Sequence, residues 1–139
     1  MKKLFFIIGL MMSCPVMSQY RSEVWVSDEG NGMYKNPVLY ADYSDPDVCV
    51  VGDDYFLTAS SFNCAPGLPI LHSRDLVNWK IVNYALKKVE PVEFYNEARH
   101  GKGVWAPSIR FHKGIYYIYW GDPDFGIFMV KTRNPYGEW

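Results

Sequence analysis

The sequence predicts an all-β protein assembled from repeated, four-stranded antiparallel units. Three observations carry that expectation. Aromatic residues are abundant, with eleven Tyr, eight Phe and five Trp making up 17% of 139 residues, and such side chains favour strands. Short apolar stretches alternate with turns rich in Gly, Asp and Pro, and no segment carries a helical period. Finally, three separated blocks recur in the same order at offsets of 61, 61 and then 59 to 60 residues. Pro46-Asp47-Val48 returns as Pro107-Ser108-Ile109, and Asp54-Tyr55-Phe56-Leu57 returns as Ile115-Tyr116-Tyr117-Ile118. Ser73-Arg74-Asp75 with Trp79 returns as Thr132-Arg133-Asn134 with Trp139. A fixed period of this kind marks a repeat architecture.

The elements follow in order. Residues 47–51 read as a first strand, and Gly52-Asp53-Asp54 as a hairpin turn. Residues 55–60 form the second strand, followed by a loop containing Pro66-Gly67. Residues 70–73 form the third, residues 75–78 a turn, and residues 79–82 close the unit. The second unit runs through strand 108–112, turn Lys113-Gly114, strand 115–120, loop 121–126, strand 127–132 and turn Asn134-Pro135. The acidic stretch 90–97 reads as a connection between units. Four short antiparallel strands recurring about every sixty residues describe a propeller blade, with blade 1 at about 45–83 and blade 2, incomplete, at about 104–139. Closure takes about four to eight blades, so two present bare apolar flanks, and the chain is expected to be a truncated piece.

A formal charge of −1 gives no reason to expect a nucleic acid or an anionic membrane as partner. Met1-Lys2-Lys3, an apolar run over 4–12 and a small, polar stretch over 13–18 read as a secretory signal at 1–18, cleaved before Gln19. The protein is therefore expected to be exported, to the periplasm or beyond. Lipid attachment at Cys14 is the alternative, although Met11-Met12-Ser13 makes a poor lipobox. No later stretch is apolar enough to span a bilayer. Cys49 and Cys64 remain after cleavage. A disulfide is permitted in that compartment, but Cys49 sits in an apolar run that suits a buried free thiol.

Further motifs narrow the field. Asn36-Pro37-Val38-Leu39 is followed by Tyr43-Ser44-Asp45-Pro46-Asp47, then Gly52-Asp53-Asp54-Tyr55-Phe56 and Ser60-Ser61-Phe62. Pro66-Gly67-Leu68-Pro69-Ile70-Leu71-His72-Ser73-Arg74-Asp75-Leu76-Val77-Asn78-Trp79 and Gly103-Val104-Trp105-Ala106-Pro107 complete the series. In order and spacing these motifs resemble glycoside hydrolase family 43 across nearly all of residues 19–139. The resemblance implies a five-bladed β-propeller and inverting hydrolysis of arabinose- and xylose-containing glycans. Ser108 after Trp105-Ala106-Pro107 looks like a branch with β-xylosidase and α-L-arabinofuranosidase members.

Inversion needs one carboxylate to activate water and one carboxylic acid to protonate the leaving oxygen. Asp45 matches the family's general base, and Pro46 is expected to hold it extended at the entry of the first strand. On residue type alone, without the resemblance, Asp45 reads instead as a turn-capping Asp. Phe62 and Trp105 match aromatic positions that line the family's sugar pocket, against core packing as the plain alternative. His100 suits either a hydrogen bond to the sugar or a solvated loop. Asp42 and Asp47 are assigned to loop and turn duty. Asp122 and Asp124 are assigned to a turn, with the channel mouth as the rival, and His72 to packing within the blade. The family's general acid and its pKa-tuning Asp have no counterpart here, so this polypeptide alone is expected to be inactive. No cofactor is expected. Some relatives hold calcium in the channel, but no acidic loop here has the required oxygen-ligand spacing. The partner expected is an oligo- or polysaccharide. A carbohydrate-binding propeller without catalysis, or a propeller displaying its surface to proteins, stand as alternatives.

Overall fold

A computed structural model describes residues 24–139; the expected signal at 1–18, its cleavage site and Cys14 lie outside the described residues. Two antiparallel sheets make up the architecture. The first is a meander of β1 (Asp47–Val51), β2 (Asp54–Thr58), β3 (Gly67–Ser73) and β4 (Lys80–Leu86), in that order. A one-turn helix, α1 (Val92–Tyr95), lies in the connection. The second sheet is a meander of β5 (Trp105–His112), β6 (Ile115–Asp122) and β7 (Gly126–Thr132).

The sixty-residue repeat is visible in the register. The β1–β2 hairpin closes on the pair Val51↔Asp54 and the β5–β6 hairpin on His112↔Ile115. Tyr55 pairs with Ser73 in one sheet and Tyr116 with Thr132 in the other. Turn chemistry repeats as well. Ser73 Oγ accepts the Asp75 and Leu76 N–H groups at 3.2 and 2.9 Å, and Thr132 Oγ1 accepts the Asn134 N–H at 3.2 Å. Such side-chain-to-backbone bonds end a strand by offering the chain an alternative to the ladder.

Several expected boundaries move. β3 begins at Gly67 rather than 70, and β4 runs from Lys80 to Leu86 rather than over 79–82. Trp79 stays in the preceding turn, its indole N–H donating to Leu76 O at 2.9 Å. β5 begins at Trp105 through an irregularity between Trp105 and Ser108. The helix was not expected, because four residues after Pro91 are too few to display a period. Among the described residues the second sheet has three strands. In place of a fourth, residues 134–139 turn back onto β4: Asn83 Nδ2 donates to Pro135 O at 3.0 Å and to Gly137 O at 2.6 Å.

The core lies between the sheets. Cys49, Phe56, Leu68, Ile70 and Ala85 from the first meet Val104, Ile109, Tyr116, Ile118 and Trp120 from the second region. Phe56 packs edge-on against Tyr116 at 5.3 Å. Complete burial of a side chain such as Ile118 stabilises by roughly 1.5–3 kcal/mol. Cys49 and Cys64 are free thiols, the first buried and the second exposed. Asp47 acts between the sheets rather than in a turn. Its Oδ2 accepts the Ile109 N–H at 2.7 Å and also the Arg110 guanidinium. The opposite faces remain apolar and open, with Val48, Val50, Ile81 and Tyr84 on the first sheet and Tyr119, Ile127 and Met129 on the second. No helix among the described residues is long and apolar enough to cross a membrane.

Candidate active site

The β1 entry and the segments after β2 and before β5 converge at one end of the two sheets. Asp45 stands just ahead of β1 with φ +48°, not in the extended conformation expected before Pro46. Tertiary hydrogen bonds override the local preference. The Ser60 N–H donates to Ser44 O at 2.9 Å. Ser60 Oγ and Ser44 Oγ donate to Asp45 Oδ2 at 2.9 and 3.1 Å. Asp is among the residues that tolerate this left-handed region. Asp45 is exposed, and its Oδ1 has no hydrogen-bond partner among the described residues.

Ser60 connects the base candidate to the second repeat. Its hydroxyl, in a residue only 9% exposed, also accepts the Ala106 N–H at 2.8 Å. Two residues on, Phe62 and Val104 form an isolated antiparallel bridge, with N–H···O distances of 3.1 and 3.0 Å. Gly103, at φ +92°, permits that approach, because a Cβ there would lie 2.4 Å from Phe62 O. Phe62 and Ala106 join Asp45 in the left-handed region, with φ +50° and +38°. Each such residue costs about 1–3 kcal/mol, and such strain is characteristic of functional sites.

The segments carrying Asp45, Phe62 and Trp105 thus form one constellation, joined through Ser60, Val104 and Ala106. Phe62 is half-buried and lines a cleft of about 340 Å³ with Asp42, Tyr43, Ser44 and Ser60, whose far wall, Ile81 and Tyr84, belongs to the open apolar face of the first sheet. Asp45 is not itself a lining residue, but both of its hydroxyl donors are. Trp105 is 42% exposed and held by its indole N–H, which donates to Gly101 O at 2.8 Å. That exposure favours a surface role over core packing. His100 is an exposed loop residue with no hydrogen-bond partner among the described residues, so its tie to the constellation is only its neighbour Gly101.

The remaining acidic groups do structural work. Asp122 is buried and accepts the Asp124 and Phe125 N–H groups at 2.9 and 3.1 Å, forming the β6–β7 turn. Its other oxygen accepts the Tyr95 hydroxyl at 2.5 Å, which docks α1 on that turn. Burial, reinforced by the Asp122 carboxylate, pushes the Tyr95 phenol well above its ordinary range. Asp124 pairs with Lys102 at 2.9 Å. His72 bonds Asp54 at 2.7 Å and packs on Phe56, as expected for a residue within the unit. Among the described residues no group of three His, Cys, Asp or Glu side chains could hold a metal ion.

In the sequence Ser60 and Gly103 stand only as members of motifs, with nothing local to mark a role. Their contacts span 46 residues for Ser60–Ala106 and about forty for Gly103–Phe62, so no local pattern announces them.

Comparison with known proteins matches residues 34–139 to the family described as Glycosyl hydrolases family 43. The chain is 39% identical over 112 residues to a non-reducing end α-L-arabinofuranosidase of Bacteroides ovatus, covering 76% of this chain and 21% of that protein. It is 36% identical over 115 residues to a β-xylosidase of Formosa agariphila, covering 81% of this chain and 19% of that protein. Among solved structures, a xylan β-1,4-xylosidase from Bacillus halodurans aligns with TM-score 0.64 and 32% identity, over 75% of this chain and 21% of that one. The chain therefore spans about a fifth of the length of these relatives.

Proposed function

The chain belongs to glycosyl hydrolase family 43, and from that premise we propose that it is the N-terminal part of an exported, inverting glycosidase acting on arabinose- or xylose-containing glycans. In this reading the two sheets are the first two blades of a five-bladed propeller, and residues 1–18 direct export. The open apolar faces of both sheets suit neighbouring blades.

The observation that carries the reading is the setting of Asp45. Its Oδ2 is pinned by two hydroxyls, while Oδ1 is left to accept a proton. In an inverting reaction Asp45 takes the proton from a water that attacks the anomeric carbon, as a separate carboxylic acid protonates the departing oxygen. The two carboxyl groups stand roughly 6.5–9.5 Å apart to leave room for that water. Phe62 and Trp105 offer flat apolar faces to the sugar ring, and His100 a hydrogen bond from the adjoining loop. The acid belongs to a part of the protein outside these residues, so the 139-residue polypeptide by itself does not hydrolyse glycosides.

Proton NMR of the full-length protein acting on an aryl β-D-xyloside or α-L-arabinofuranoside tests the reading. The first sugar to appear has the opposite anomeric configuration to the substrate; first appearance of the same anomer would refute inversion. Release of aryl alcohol by the 139-residue polypeptide would contradict its inactivity.

A further inference from the structure

We propose that Ser60 is a positioning residue for the base, orienting the Asp45 carboxylate through a hydroxyl whose own direction is set by the second repeat. The inference rests on the assignment of Asp45 as base. A serine hydroxyl has one proton and accepts through its lone pairs. The Ala106 N–H approaches Ser60 Oγ at 2.8 Å, which occupies an acceptor position. The single proton is directed to Asp45 Oδ2 at 2.9 Å. Asp45 thereby presents Oδ1, and not Oδ2, to the attacking water. Ser60 acts on the same residue through its backbone too, since its N–H holds Ser44 O at 2.9 Å.

The arrangement differs from an ordinary surface hydrogen bond in two ways. Ser60 is buried while Asp45 is exposed, so the hydroxyl is a fixed point and the carboxylate is the group being steered. Ala106 belongs to the Trp105-Ala106-Pro107 segment and itself has φ +38°. The second repeat's aromatic and the first repeat's carboxylate are therefore referred to one oxygen atom. Displacing a catalytic group by about 1 Å can cost on the order of 100-fold in rate.

The test compares Ser60→Ala, Ser60→Thr and Asp45→Asn in the full-length glycosidase, with aryl glycoside kinetics and a melting temperature for each. Ser60→Ala should lower kcat by roughly 10- to 100-fold, the range for loss of a hydrogen bond to a charged group, with KM within about 2-fold. Ser60→Thr keeps the hydroxyl and should stay within about 3-fold of the parent. Adding Ser60→Ala to Asp45→Asn should lower kcat no further, because the steered group is gone. Wild-type turnover by Ser60→Ala, with Asp45→Asn inactive, overturns the inference and leaves the base assignment standing. Equal losses in the Ala and Thr variants with raised KM also overturn it. Wild-type turnover by Asp45→Asn overturns the base assignment itself.

Discussion

Replacing Gly103 by Ala should destabilise the protein far more than the same change at Gly101, two residues away. Both glycines have positive φ, +92° and +77°, so each substitution carries a backbone penalty of about 1–2 kcal/mol. Their surroundings differ. A Cβ on Gly101 meets nothing within 4 Å, whereas one on Gly103 meets Phe62 O at 2.4 Å, Phe62 C at 2.9 Å and Asn63 N at 3.3 Å. These are backbone atoms, so no side chain can swing aside. The Phe62–Val104 bridge must open, and its two hydrogen bonds contribute about 1 kcal/mol each. The expected cost is roughly 3–4 kcal/mol for Gly103→Ala against about 1–2 for Gly101→Ala. Urea unfolding of the two variants and the parent measures the difference from the midpoints at common slope. Equal destabilisation by both substitutions would refute the claim that this bridge clamps the two repeats together.

Asp47→Ala should cost about 1–3 kcal/mol in the same assay, because it strands the N–H of fully buried Ile109. Arg110→Ala should cost less than about 1 kcal/mol, since that guanidinium is largely solvated. Tyr95→Phe should cost about 1–2 kcal/mol by removing the hydroxyl that binds buried Asp122. In a spectrophotometric titration, Tyr95→Phe should leave the tyrosine absorbance rise near pH 10 unchanged, because burial and Asp122 keep that phenol from ionising there. Burial opposes ionisation of Asp75, but hydrogen bonds from Asn78, Val77 and Ser73 outweigh it and hold its carboxyl at about 2. Its folded value lies below its unfolded one, so the stabilisation is present above about pH 4 and is lost as pH falls toward 2. Asp75→Asn should flatten the stability profile across that window, measured by urea unfolding at successive pH values.

The parts of the fold legible in the sequence are those with local causes. Gly52-Asp53-Asp54 and Lys113-Gly114 announce tight hairpins; the structure closes the second at the expected residues and the first one residue earlier, with Asp54 already paired in β2. Ser73 and Thr132 sit at equivalent strand ends and bond the turn that follows, as the repeat implied. Elements shaped by distant contacts were not legible. β4 runs to Leu86 because its partners across the ladder reach back to Gly67, a length no propensity encodes. Asp45 was placed by a motif and its neighbour Pro46, yet its conformation is decided by Ser60, fifteen residues away. The sequence names the candidate residues only by type; the geometry around them depends on bonds between the two repeats.

The most direct test of the central claim is kcat for Asp45→Asn in the full-length protein, measured on an aryl glycoside. Asn keeps the size and the hydrogen-bond acceptor of Asp but cannot take a proton from water. The account predicts a fall of roughly 100- to 10,000-fold with KM little changed. Turnover within a few-fold of the parent would contradict Asp45 as the general base and return it to the role of a turn residue.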